Sequence, residues 1–435
     1  MLSYQQTLDH VYRLEVERMD LKLERVAAAL QLCGSPQLRY PALHVAGTNG
    51  KGSTATFLYA MLTAAGYRAG LFTSPHLVDF RERIRLGDTW ISEQEVIDGV
   101  AAIRAEIEPA GIKLTPFEMM TVLAFRAFAQ ASVDVAVVEV GLGGRLDATN
   151  VLTPLVAVIT SIGLDHQAYL GNTIAEIARE KGGIIKSHVP TVIGRMEAES
   201  REVLCSIARE RESTAYLLGE NFTVAQQRDG SGHYIGLRWQ LHDLHLGLRG
   251  QFQHNNAATA LAALELAHQT FPINETQVRQ GLLSARWPGR IEIVSRQPLV
   301  ILDGAHNSQA MQTLVAELPA LLQGRRVKLL FAVMRDKDWR VMIPLLAPLI
   351  TEAVVTRVQQ SRAEDPALLR DAFAPFCPVH IVDNAQAACR HLLASTPSDE
   401  AVLIAGSLFL VGEVYPLFAP TAMKPLLERE QGATA

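Results

Sequence analysis

Cysteine is scarce in this chain. Its 435 residues include only Cys33, Cys205, Cys377 and Cys389, far apart and without a C-x-x-C pair. That spacing argues against a metal knuckle and a disulfide framework, and it suits a reducing cytoplasm. No apolar run approaches the roughly 18 residues of a membrane span. The N-terminus, Met1-Leu2-Ser3-Tyr4-Gln5, lacks a basic stretch followed by an apolar core, so no signal peptide is expected. Concentrated basic charge is also missing. Lys and Arg number 40 against 45 Asp and Glu, a formal charge of −5. Neither nucleic acid nor a membrane surface is an expected partner. A small polyanion is not excluded, because it needs only a local site.

What the chain has is apolar residue, 49% of the total. That supports two or three domains of roughly 150 residues with sizeable cores. Residues 5–33 read as helical, with a polar interruption at 18–25. Beyond them strands and helices alternate: strands at 41–46, 69–72, 133–140, 155–160 and 189–194, helices at 53–65, 93–107, 116–131, 172–181 and 197–211. Such alternation predicts an open, mostly parallel sheet covered by helices. Phe80–Leu86 alternates and reads as an exposed strand or ribbon. Segments around Tyr234–Leu241 and His245–Leu248 predict a small antiparallel ribbon. Helices at 255–270 and 275–284 follow, with Asn255 or Asn256 placed to cap the first.

Trp287-Pro288-Gly289-Arg290 reads as a domain junction, and the expected domains are 1–288 and 289–435. Past it, strands at 298–302, 327–333, 351–355, 379–382 and 401–405 alternate with helices at 308–322, 338–348, 366–374 and 384–394. The predicted fold is α/β: a P-loop-type, mostly parallel sheet domain with a small ribbon, then a smaller Rossmann-like α/β domain.

One stretch organises this pattern, Leu43-His44-Val45-Ala46-Gly47-Thr48-Asn49-Gly50-Lys51-Gly52-Ser53-Thr54. A buried strand runs into a glycine-rich turn with one lysine, and a helix opens. Glycines let backbone N–H groups approach an anion, the helix dipole favours negative charge, and the lysine adds a cation. The match to G-x-x-x-x-G-K-[ST] is imperfect. Gly47 lies three residues before Gly50, and Gly52 separates Lys51 from Ser53.

Three more polar groups follow predicted strands: Ser74, Glu139 and His166. In a doubly wound sheet such ends share one edge. Ser74 alone reads as a turn residue, and His166 alone reads more as a satisfied polar side chain than as a ligand. Glu139 ends an apolar strand, where a carboxylate needs a partner or a cation. Together they suit a hard cation beside a triphosphate, with Lys51 neutralising charge on a transferred phosphoryl group. The residues by themselves reach an ATP- and Mg²⁺-dependent enzyme or switch.

The motifs go further. Ala46-Gly47-Thr48-Asn49-Gly50-Lys51-Gly52-Ser53, Ser74-Pro75-His76, Glu139-Val140-Gly141-Leu142-Gly143-Gly144-Arg145-Leu146-Asp147-Ala148-Thr149-Asn150, Asp165-His166, Arg179-Glu180-Lys181 and Asp303-Gly304-Ala305-His306-Asn307 resemble the folylpolyglutamate synthase/dihydrofolate synthase family of the Mur ligase superfamily. The resemblance spans nearly the whole chain in order. The short glycine spacing is that superfamily's form.

The resemblance implies an ATP-dependent ligase that joins L-glutamate to dihydropteroate, to the glutamate tail of reduced folates, or to both, through an acyl phosphate. It implies that Thr48, Asn49, Gly50, Lys51, Gly52 and Ser53 hold ATP. Asn256, Arg290, Asp303 and His306 match further ATP positions, Arg290 at a phosphate and Asp303 at the ribose hydroxyls. Ser74, Glu139 and His166 are implied Mg²⁺ ligands. Lys181 matches a lysine that carries a carbamate and ligates a second Mg²⁺. Lys51, His166 and Lys181 are the implied catalytic groups.

For the pterin, Asp20 and Leu21, Thr115 and Phe117, and Leu146, Asp147 and Ala148 correspond. A monovalent cation is a further candidate cofactor, and a cytoplasmic monomer is expected. The nearest rival, a peptidoglycan-precursor Mur ligase, is expected to carry a domain of roughly 100 residues before the phosphate loop. Here 46 residues precede Gly47. Folate-tail extension without dihydrofolate synthase activity is the other alternative. A P-loop switch or kinase would turn over nucleotide without glutamate.

Overall fold

The computed structural model describes residues 2–14, 22–227 and 229–418. Among these, one compact unit runs to Gly247 and resumes over Gln251–Arg286. A second holds Leu248–Gly250 and the chain from Trp287.

In the first unit the apolar runs become β1 (Ala42–Ala46), β2 (Ala69–Phe72), β3 (Ile84–Leu86), β4 (Thr89–Trp90), β5 (Val135–Glu139), β6 (Val156–Ile159), β7 (Thr191–Ile193) and β8 (Ala215–Leu217). They form one sheet in the order β4-β3-β2-β5-β1-β6-β7-β8. From β2 to β8 the pairing is parallel, and β3 and β4 add an antiparallel edge. β1, β5 and β6 are buried throughout, as strands covered on both faces are. Three covering helices, Glu93–Ile107, Pro116–Gln130 and Ile174–Gly182, begin alike. Ser92, Thr115 and Thr173 accept the N–H three residues on, and Glu95, Glu118 and Glu176 reach back to the cap. Each such cap is worth about 1 kcal/mol. No helix among the described residues is long and apolar enough to cross a membrane.

Three sequence expectations change here. Phe80–Leu86 is not an exposed strand. Phe80–Arg83 forms a 3-10 turn capped by Asp79, only Ile84–Leu86 pairs in the sheet, and Phe80, Arg81, Arg83 and Ile84 are buried. The ribbon is a three-stranded antiparallel sheet of β9 (Thr223–Gln226), β10 (Gly232–Ile235) and β11 (Gln240–Leu244). The predicted segment Tyr234–Leu241 straddles a turn. Glu265, buried in the Phe252–Ala267 helix, accepts the N–H groups of Leu237 and Arg238 at 2.8 and 2.9 Å and the Tyr234 hydroxyl at 2.9 Å, which bends the chain there. Finally, Asn255 and Asn256 lie inside that helix, whose cap position is Gln251, so neither asparagine caps it.

In the second unit β12 (Glu292–Arg296), β13 (Leu299–Leu302), β14 (Val327–Phe331), β15 (Ile350–Val355), β16 (Val379–Ile381) and β17 (Ala401–Ala405) form a sheet in the order β12-β13-β17-β14-β15-β16. β12 is antiparallel and the others are parallel. Asn307 caps the Ser308–Leu322 helix that follows β13.

Candidate active site

Four neighbouring parallel strands, β2, β5, β1 and β6, bring their carboxyl ends to one edge of the first sheet. Ser74, Glu139, the Gly47–Ser53 loop and His166 follow those ends. This is where open α/β sheets gather ligands.

The loop is strapped to the end of β6. Thr48 N donates to Ser161 O at 2.7 Å, and the Thr48 hydroxyl exchanges hydrogen bonds with Gly163. Asn49 N donates to Ser161 Oγ at 3.1 Å, and the hydroxyls of Thr160 and Ser161 donate back to Asn49 O at 2.6 and 2.9 Å. Gly50, with φ of 84°, precedes the Lys51–Ala64 helix in a left-handed conformation that costs other residues about 1–2 kcal/mol. A Cβ at Gly50 would lie 2.5 Å from Asn256 Oδ1. Asn256 in turn donates to Gln253 Oε1, and Gln253 donates to Ser53 Oγ at 3.3 Å. Gln253, fully buried, is a loop support that sequence reading missed.

Two lysines share one acceptor. Lys51 Nζ donates to Gly47 O at 3.1 Å and Thr48 O at 3.2 Å. Lys181 Nζ donates to Gly47 O at 2.8 Å. Lys181 is buried, and burial together with the nearby Lys51 charge pulls its pKa down to about 7, against the opposing pull of Asp165 and Asp147. Near neutral pH a sizeable share of this amine is therefore uncharged. The glycine segment puts Lys181 there. A Cβ at Gly144 would meet Glu180 O and Lys181 O at 2.8 Å, so only glycine lets the Ile174–Gly182 helix come this close. Arg145 N donates to Glu180 O at 2.7 Å and fixes the approach.

Glu139 is 4% exposed, and its Oε2 accepts from Ser74 N at 3.2 Å. Ser74 is half-buried. His166 is partly exposed and left-handed at φ 51°. Its N–H donates to Asp165 Oδ1 at 2.8 Å. Close by, Arg83 Nε donates to His76 Nδ1 at 2.8 Å, and burial and that cation push the His76 pKa down to about 4.

The pterin candidates divide. Asp20 and Leu21 lie outside the described residues. Phe117 packs over Gly141 and beside Phe72, with ring centroids 6.0 Å apart, and stays half-exposed. Leu146 is half-buried, while Ala148 is buried. Two side chains are engaged within the protein itself. The Thr115 hydroxyl caps its helix through Glu118 N, and Glu118 also accepts from Arg25 at 3.1 Å. Asp147 is 4% exposed, and its carboxylate accepts from Leu142 N at 2.8 Å, Thr149 N at 3.0 Å and the Thr149 hydroxyl. A buried acid keeps its charge by collecting such donors. Burial pushes the Asp147 pKa up and these donors pull it back, so the carboxylate braces its own loop.

The second unit repeats that design after β13. Asp303 was expected at ribose hydroxyls, yet it is buried, accepting from Ile291 N at 2.9 Å and Ala305 N at 2.7 Å. Burial pushes its pKa up, and Arg290 and these donors pull it back. His306 Nδ1 lies 2.7 Å from Gly304 O, so the Nδ1 proton points there. Arg290 donates to Gly289 O at 3.1 Å.

Comparison with known proteins agrees in both halves. Residues 45–264 match the model of the Mur ligase middle domain, and residues 289–408 that of the Mur ligase glutamate ligase domain. The chain is 33% identical to folylpolyglutamate synthase of Lacticaseibacillus casei over 425 residues, covering 95% of this chain and 98% of the relative. Its structure resembles that of Escherichia coli FolC in complex with DHPP and ADP, with a TM-score of 0.90 at 33% identity and coverage of 96% and 98%. It also resembles a bifunctional folylpolyglutamate synthase/dihydrofolate synthase with Mn, AMPPNP and L-glutamate bound, with a TM-score of 0.87 at 33% identity and coverage of 96% and 98%.

Proposed function

The chain belongs to the folylpolyglutamate synthase/dihydrofolate synthase family of Mur ligases, and from that premise we propose how its residues carry out the family's reaction. It is an ATP-dependent acid–amino-acid ligase that adds L-glutamate to a pteroate or folate acceptor and uses ATP with a divalent metal. We assign both activities to it, dihydrofolate synthase and folate-tail extension. The ATP-binding part is placed within residues 1–288 and the glutamate ligase part within 289–435. The chain works as a cytoplasmic monomer. The observation that carries the assignment of roles is the convergence of Lys51 and Lys181 on Gly47 O, at the edge that also holds Ser74 and Glu139.

Lys51 and the backbone of residues 50–53 hold the phosphates, with Thr48 and Asn49 strapping the loop to the end of β6 and Asn256 beside Gly50. The γ-phosphoryl group passes to the acceptor carboxylate: an O–P bond forms and the bond to ADP breaks. The glutamate amine then attacks the acyl carbon, and phosphate leaves as the amide forms. Activation is required because a carboxylate is a poor electrophile. Lys51 follows the charge of the moving group. In the second unit, we assign Arg290 to phosphate binding and His306 to nucleotide binding.

Ser74, Glu139 and His166 offer a hydroxyl, a buried carboxylate and an imidazole to Mg²⁺. Among the described residues no three His, Cys, Asp or Glu side chains converge as a closed cage. An open, oxygen-rich set that leaves room for phosphates suits Mg²⁺. When bound, the metal neutralises phosphate charge during transfer. We assign two ions, the second held by Lys181 as its carbamate. The neutral amine attacks CO₂, the N–C bond forms and nitrogen releases a proton, leaving an anion in place of a cation. Density for a free amine at Lys181, in crystals grown with CO₂ and Mg²⁺, would overturn this step.

For the acceptor, Phe117 presents a ring face for stacking, and Leu146 and Ala148 line the same loop. The test is ADP release with L-glutamate and either dihydropteroate or tetrahydrofolate. Turnover with both is expected. Turnover with tetrahydrofolate alone removes the dihydrofolate synthase activity, and none with either overturns the reading.

A further inference from the structure

We propose that His44, buried in the strand before the phosphate loop, is a positioning residue that locks the acceptor-binding glycine loop through Thr149. His44 lies in β1, two residues before Ala46, and is fully buried. Its Nε2 is 2.8 Å from Thr149 Oγ1. Thr149 has a single hydroxyl proton, and that proton goes to Asp147 Oδ1, because a carboxylate is the stronger acceptor. Thr149 must then accept from His44, which places the imidazole proton on Nε2.

Nδ1 is consistent with that state. It is buried, and among the described residues it has no hydrogen-bond partner, so it can stay a bare acceptor but cannot hold a proton cheaply. The charged group facing the ring is Lys186, whose ammonium donates to Asn150 O at 2.8 Å. Burial and that cation push the His44 pKa down to about 3. At neutral pH the ring is a neutral donor.

The donor matters because of what lies beyond it. Asp147 passes the constraint to Leu142 N at 2.8 Å, so the chain from His44 through Thr149 and Asp147 spans the loop from Leu142 to Thr149. Leu146 and Ala148 sit on that loop, and Gly144 in it touches the backbone of Lys181. One buried imidazole thus ties the strand that feeds the phosphate loop to the loop assigned to the acceptor. The choice of acceptor rests on the proposed function; the hydrogen-bond chain does not.

Two measurements decide it. In the ¹⁵N-labelled full chain, the His44 ring is expected as the neutral Nε2–H tautomer, unchanged from about pH 5 to 8. A titrating ring, or the Nδ1–H tautomer, overturns the proposal whether or not the protein ligates glutamate. In the ligase assay, His44→Leu is expected to raise KM for the folate acceptor about tenfold, the lower end for losing an outer support of a site, with KM for ATP within about twofold. His44→Gln restores a donor at the same reach and is expected to bring acceptor KM back to within about threefold of the parent. Equal acceptor KM in the Leu and Gln variants would mean that His44 only fills space. Should His44→Leu fail to fold, the His44→Gln values and the parent spectrum still decide. Absence of turnover in the parent would count against the proposed function and leave the tautomer result standing.

Discussion

The phosphate loop, 47–53, and the glycine segment, 141–150, follow adjacent strands and share a composition, yet Gly50 and Gly144 serve them differently. In the first, the left-handed Gly50 opens a helix with no side-chain cap, at the end assigned to the phosphates. In the second, Gly144 has no need of a positive φ; it is small so that the backbone of Glu180 and Lys181 can touch it. Gly50 is a left-handed entry to a helix, and Gly144 is a close packing contact. A glycine run in a sequence therefore names two devices, and what packs against it tells them apart. The helix that packs on Gly144 sends Lys181 to Gly47 O, where it joins Lys51.

The contrast can be broken in order of effect. Lys51→Ala removes the cation at the phosphate loop and is expected to lower kcat by about 10²–10³-fold, measured as ADP release with saturating ATP, while thermal stability stays near the parent's. Gly144→Ala attacks the packing contact. Its Cβ has no room against two backbone carbonyls, so the Lys181 helix must shift. Activity is expected to fall about 10²-fold, with roughly 1–3 kcal/mol of stability lost in urea melts. Full activity in Gly144→Ala would show that the close approach is not needed.

Lys181 gives the next effect, read as pH dependence. Its folded pKa is depressed from 10.5 to about 7, so between those values the unfolded chain binds more protons than the folded one. Stability from this group is therefore lowest below pH 7 and rises between about pH 7 and 10.5. Lys181→Met is expected to flatten that rise relative to the parent in urea melts at matched pH. Parallel curves would contradict a buried, depressed amine. Arg145→Ala should do least. Its ion pair with Glu180 is 2.8 Å long but half of the arginine side chain is exposed, so about 0–1 kcal/mol is expected from melts.

Much of this was legible in residues. Val133–Val140 is apolar on both faces, and a doubly covered strand must be, so β5 and the acid at its end stood out. That Ser74, Glu139, Lys51 and His166 follow strands sharing one sheet edge was expected from alternation plus the rule for sheet edges, whereas the strand order itself came only with the structure. Buried acids were harder. Asp147 and Asp303 each follow a strand in a glycine-rich setting, and nothing local says whether such a carboxylate faces a ligand or its own backbone; the folded loop decides by offering N–H donors. Thr115 was readable either way, since Thr-x-x-Glu before an apolar helix is itself a cap signal. The Tyr234–Leu241 ribbon was misplaced because the turn depends on Glu265, distant in sequence. His44 gave no signal at all, being one histidine in an apolar strand whose partner is Thr149.

The central claim is that this edge moves the γ-phosphoryl group of ATP onto the acceptor's carboxylate before glutamate attacks. Labelling that carboxylate with ¹⁸O tests it directly. The account predicts one ¹⁸O atom in each inorganic phosphate released with product, read by mass spectrometry. Unlabelled phosphate alongside ligated product would contradict it.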